Sequence, residues 1–230
     1  MTANASRLNK DLAVRYSAQA YDRYTAAGVA HFDDALAARL VGIVAVRDRP
    51  PGTLIDVGTG TARFLIRAAV EPGLSGIAMT GVDSFPDMVE EARRAVGDAG
   101  LGDRIAIMRA DAHDLPFPDE SAALVISRST LHHFHDPIAC IREMARIVEP
   151  DGMIIIHDVR RDADPEARAA FNRSRKALGV PESLAHEKLS VDEVREVISR
   201  AGVAHRSVIT APETGPFALG FEIAIHGAGN

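Results

Sequence analysis

Residues 52–62 read Gly52-Thr53-Leu54-Ile55-Asp56-Val57-Gly58-Thr59-Gly60-Thr61-Ala62. The apolar pair Leu54-Ile55 runs into an acid, Asp56, glycines follow at alternate positions, and a helical pattern comes next. The stretch reads as a strand, a tight loop and a helix N-terminus, an arrangement that brings bare backbone up to a small polar ligand. Gly58 and Gly60 can take positive φ and have no Cβ to obstruct that ligand. The spacing also excludes a ligand class. A dinucleotide fingerprint needs G-x-G-x-x-G, and Arg63 fills its third glycine position, where helix and strand must pack closely. Asp56, placed before the loop, suits a cationic or amino-bearing ligand better than a pyrophosphate.

Outward from this loop, strand and helix signals alternate, which predicts a parallel sheet with helices on both faces. Strands are expected at 53–57, 76–82, 104–109, 122–127 and 152–158, the last entered by the turn Pro150-Asp151-Gly152. Helices are expected at 32–47, 62–70, from Pro86 to about Val96, and at 137–148, where Asp136 is the N-cap and Pro137 the first helical residue. Ser190-x-x-Glu193 is a capping box for a helix over 190–201. The apolar strands 203–210 and 217–226 have no helix between them, so they should pair antiparallel. The expected architecture is α/β, a Rossmann-like doubly wound sheet, mostly parallel with an antiparallel C-terminal strand. A helical cap over 1–34 precedes the main domain, 35–230, and a polar helical insertion over 162–186 lies above the site.

In an open parallel sheet, ligands sit at the carboxyl ends of the strands. Polar residues gather there: Asp56 after strand one, Asp83-Ser84 after strand two, Asp111-Ala112 after strand three and Ser127 after strand four. An acid ending the second strand can accept both ribose hydroxyls of a nucleoside. Its alternative role is a surface acid or a helix cap. The alternating-glycine loop, Asp83-Ser-Phe-Pro-Asp-Met88 and Arg109-Ala-Asp-Ala-His-Asp-Leu-Pro-Phe-Pro118 resemble the first three motifs of the class I S-adenosylmethionine (SAM)-dependent methyltransferases. Ala62 stands where that family often has a further glycine. The resemblance covers roughly residues 35–226. It implies SAM as cofactor and S-adenosyl-L-homocysteine as product, with Asp56, Gly58, Gly60, Asp83, Ser84, Met88, Asp111, Ala112 and Ser127 binding the cofactor. Met88 would lie against the adenine, or else simply fill core. Asp111 would accept from the adenine amine, and the backbone near Ser127 would hold the methionine end.

The run Ser127-Arg-Ser-Thr-Leu-His-His-Phe-His-Asp136 crowds three histidines into one short loop. That crowding does not suit convergence on a tetrahedral metal ion, and no metal is expected. A Leu-His-His-Phe-like run is similar to that of small-molecule methyltransferases of the quinone-biosynthesis type, where it borders the acceptor pocket. His132 or His133 is then a candidate general base, and His157, near the end of strand five, is another. Each could equally be a packed histidine bonded to backbone. Tyr16, Tyr21 and Tyr24 lie at near-helical spacing, as a lid over the acceptor or as a plain amphipathic face.

Transfer from a sulfonium needs alignment, exclusion of water and removal of one proton, so no catalytic triad is required. None is visible; nor is a Walker loop. The chain has 230 residues, 47% of them hydrophobic, and a net charge of −6, without a dense basic tract that would mark a nucleic-acid partner. Its one cysteine, Cys140, sits in an apolar helical pattern and fits a cytoplasmic setting. No apolar stretch is long enough for a bilayer, and no membrane partner is expected. The expected partner is a small-molecule methyl acceptor, met by a monomer or a homodimer. Three rival readings use the same residues: a nicotinamide oxidoreductase, opposed by Arg63; a non-methylating SAM-binding homologue that catalyses a cyclisation or rearrangement; and a SAM-binding regulatory protein.

Overall fold

The computed structural model describes residues 30–47, 52–179, 181–215 and 217–229. In chain order the elements are α1 (Ala30–Ala45), β1 (Thr53–Val57), α2 (Arg63–Ala69), β2 (Ala78–Asp83), α3 (Pro86–Asp98), β3 (Ile105–Arg109), β4 (Ala122–Arg128), α4 (Pro137–Ile147), β5 (Val148–Val159), α5 (Pro165–Ala177), α6 (Val191–Ala201), β6 (Ser207–Thr210) and β7 (Gly220–His226). The seven strands form one sheet in the order β3-β2-β1-β4-β5-β7-β6. Strands β1 to β5 pair in parallel, and β7 lies antiparallel to both β5 and β6. The strand order reverses between β1 and β4, the switch at which a ligand crevice opens.

The central strands are apolar at consecutive positions because both faces are covered. Ile55, Val125, Ile154, Ile156, Ile223 and Ile225 turn to the face packed by α4 and α6. Leu54, Leu124, Ile126 and Ile155 turn to the opposite face, against α1, α2 and α3. Each such Leu or Ile contributes about 1.5–3 kcal/mol on full burial. Cys140 is fully buried in α4, and burial pushes its thiol pKa up.

The helix caps follow their local signals. The Asp136 carboxylate accepts from the Ile138 and Ala139 amides at 3.1 and 3.0 Å, and Ser190 and Glu193 close the capping box at 3.2 and 2.8 Å. Two segments differ from expectation. Strand β5 begins at Val148, ahead of the turn expected at 150–152, and its register with β4 shifts between Ala122 and Leu124. Arg47 holds this irregular entry by reaching Glu149 at 2.6 Å. Over 162–186 only Pro165–Ala177 is an α-helix. The rest folds back irregularly because the Asn172 side chain bridges to both backbone groups of Ser183, at 2.9 and 3.2 Å, and Arg175 Nε donates to the Pro181 carbonyl at 2.8 Å. Most of the proposed 1–34 cap, with Tyr16, Tyr21 and Tyr24, lies outside the described residues. Helix α1 straddles its boundary and buries Leu36, Ala37 and Leu40 against the sheet. Among the described residues, no helix is long and apolar enough to cross a membrane.

Candidate active site

The glycine loop leaves β1 and turns over the end of β2. Gly58 (φ 76°) donates its amide to the Val82 carbonyl at 2.8 Å, and Gly60 (φ 56°) donates to Asp83 Oδ2 at 2.9 Å. Thr130 packs on Gly58 so closely that a Cβ there would lie 2.2 Å from its methyl carbon. Ala62, at φ 60° and ψ 17°, holds the left-handed conformation that a glycine would take without strain. Asp56 turns beneath this loop. Its Oδ2 accepts from the Thr59 hydroxyl at 2.8 Å, and burial pushes its pKa up to about 7 against the opposing Thr59 bond. It borders a minor crevice shared with Arg63 and Arg128, apart from the main cavity.

The main cavity, about 690 Å³, opens at the carboxyl ends of the strands. Gly58, Gly60, Asp83, Ser84, Met88, Asp111 and Ala112 all line it. The Asp83 carboxylate sits at the junction of two loops, with Oδ1 accepting from the Phe85 amide at 3.0 Å and Oδ2 from Gly60. Burial raises its pKa against these bonds. Each oxygen keeps a second lone pair for a ligand hydroxyl. Asp111 is more open. Partial burial would raise its pKa, but the backbone and ring N–H groups of His113, at 3.0 and 2.6 Å, bring it below the usual value. Ser127 is buried with its hydroxyl unpaired and does not line the cavity; Arg128, Ser129 and Thr130 do. Ser129 takes φ 54°, a strained non-glycine conformation at the cavity wall.

The far wall carries the histidines. His132, almost fully buried, meets both Asp158 oxygens through Nδ1, at 2.8 and 2.7 Å, and its backbone amide donates to Asp158 at 3.1 Å. Its Nε2 faces Lys188 Nζ at 2.5 Å. Burial alone would raise the Asp158 pKa, but the charges of His132 and Lys188 and the His132 bonds hold it below the usual value. The His133 ring lies 3.8 Å from that of His132. His157 Nε2 pairs with Glu222 at 2.7 Å, and Arg39 of α1 reaches the other oxygen of Glu222 at 2.7 Å. Phe32 meets Phe217 edge-on at 5.1 Å above this end. All three candidate bases therefore border the cavity. The sequence reading did not single out Lys188, Glu222, Arg39 or Arg128. One signal was available: Lys10, Lys176 and Lys188 are the only lysines among 26 basic residues.

Residues 55–156 match the family model described as methyltransferase domain. Over these residues the chain carries a methyltransferase domain. It is 34% identical over 122 residues to 27-O-demethylrifamycin SV methyltransferase of Amycolatopsis mediterranei, covering 52% of this chain and 42% of that protein. It is 27% identical over 118 residues to the ubiquinone/menaquinone biosynthesis C-methyltransferase UbiE of Geotalea daltonii, covering 51% and 50%. The chain thus spans about half the length of these curated relatives. A solved structure of a putative SAM-dependent methyltransferase from Methanococcus maripaludis shares the fold, with a TM-score of 0.69, 22% identity and 91% coverage of both chains.

The cofactor end of this methyltransferase domain fits SAM by its donor set. The buried Asp83 carboxylate, Asp111, Ala112 and Met88 line one cavity, and acids beside a polarisable side chain are groups that the ribose and adenine of such a cofactor would need.

Proposed function

We propose that this protein transfers a methyl group from SAM to O, N or C of a small-molecule acceptor. The observation that carries the reading is one continuous cavity, with the Asp83–Gly60 cofactor cradle at one end and the Asp158–His132–Lys188 cluster at the other. A protein that merely sensed SAM would need only the first end. When bound, SAM supplies an electrophilic methyl on a sulfonium. The chain's own residues do the rest. Asp83 orients the nucleoside through its ribose, and the Gly58–Ala62 loop brings backbone close to it. Phe32 and Phe217, in edge-on contact, give the cavity an aromatic wall.

The candidate bases differ in what they already hold. His157 Nε2 is committed to Glu222. Asp158 fixes the tautomer and orientation of His132, as a carboxylate does for a working imidazole. His132 is therefore the most firmly held of the three at the acceptor end, by Asp158 on Nδ1 and Lys188 on Nε2, and the His133 ring rests against it.

Calorimetric titration with SAM, S-adenosylhomocysteine and NADH tests the cofactor assignment, with Asp83→Asn as the shape-preserving variant. Wild type should bind SAM and its product at micromolar strength. Asp83→Asn should weaken both by about 10–100-fold, the worth of charge-assisted hydrogen bonds. Preference for NADH, or SAM affinity unchanged in the variant, overturns the reading.

A further inference from the structure

The Lys188–His132 contact decides what kind of acceptor the site can take. Lys188 Nζ stands 2.5 Å from His132 Nε2, and the Asp158 carboxylate meets the other ring nitrogen. Both ring nitrogens of His132 are thereby engaged. His132 is left without an open ring nitrogen to take a proton from an aliphatic alcohol, while the Lys188 ammonium donates N–H groups of the kind an oxyanion accepts from.

Other charged groups share this end of the cavity. Glu222 is matched by His157 and Arg39, both at 2.7 Å. His133 stacks on His132, and Arg175, Glu182 and Glu187 line the same end. The apolar side of this end is aromatic, with the Phe32–Phe217 pair and Phe171, which suits a flat ring. Lys188 follows the turn Ala185–Glu187, at the end of the segment that folds back after α5.

We propose that Lys188 selects acceptors whose reacting hydroxyl is acidic, a phenol or enol, and holds that oxygen as the oxyanion in the cavity. The proposal rests on the methyltransferase reading and narrows its substrate class. The hydroxyl proton leaves to solvent on binding, so His132 need not receive it.

The test is a titration of 4-nitrophenol, whose ionised form absorbs visible light, against protein saturated with S-adenosylhomocysteine. Bound nitrophenol should ionise at least about one pH unit below the free compound, a tenfold change in its ionisation constant. Lys188→Met should abolish that shift and Lys188→Arg should keep it, while calorimetry shows S-adenosylhomocysteine binding to both variants within about twofold of wild type. The proposal is overturned if nitrophenol fails to bind, titrates like the free compound, or keeps its shift in Lys188→Met. Wild type that does not bind S-adenosylhomocysteine overturns the parent reading instead, so the two failures are told apart.

Discussion

At the scale of single residues, positions 58 and 62 show two different demands on the backbone. Gly58 has a positive φ and also no room, because Thr130 fills the place of a Cβ. Ala62 has a positive φ but accommodates its methyl, fully buried. Gly58→Ala should therefore cost about 2–4 kcal/mol, summing left-handed strain and overpacking. Ala62→Gly should change stability by less than about 1 kcal/mol, since relief of strain is offset by lost burial and chain entropy. Urea denaturation of the two variants checks both, and equal losses would refute the distinction.

At the scale of elements, α1 is tied to the end of β4 by charge. Asp33 of α1, 2% exposed, lies 2.8 Å from Arg128 and 3.7 Å from Arg63. Burial raises the Asp33 pKa against the pull of both arginines. Removing one partner leaves the other charge stranded, whereas replacing both with apolar groups does not. Arg128→Met should destabilise by about 3 kcal/mol, somewhat softened by Arg63. Adding Asp33→Leu to that variant should recover most of the loss in a denaturation cycle. Simple additivity of the two changes would show that the pair does not bind α1 to the sheet.

At the scale of the whole molecule, buried acids under the cavity set the pH response. Asp56 has its folded pKa raised from 3.8 to about 7, so between these values the folded chain holds a proton that the unfolded chain releases. Its contribution to stability is present below about pH 4 and is lost as pH rises through about 7. Asp33 and Asp83, also raised, act in the same sense; Asp158, lowered, acts in the opposite one. Asp56→Asn keeps an acceptor for Thr59 and should flatten the decline in unfolding free energy between about pH 4 and pH 7, by on the order of 1–4 kcal/mol. An unchanged slope in the variant would place the titration elsewhere.

Local signals were enough for the frame of this protein. Consecutive apolar strand residues, the caps at Asp136 and Ser190, the alternate glycines at 58 and 60, and acids at strand ends each act within a few residues of themselves, so they are readable along the chain. They led to the sheet, to its antiparallel C-terminal strand and to ten of the residues that line the cavity, Asp83, Asp111 and the three histidines among them. Tertiary structure decided what those residues face. Strand pleat and loop path turned Asp56 under the loop and buried Ser127 off the cavity, although both end strands as Asp83 does. It also joined Asp158 and Lys188 to His132 across 26 and 56 residues of sequence. Such pairings depend on how β5 and the segment after α5 pack against the loop beyond β4, and no periodicity or spacing along the chain encodes that.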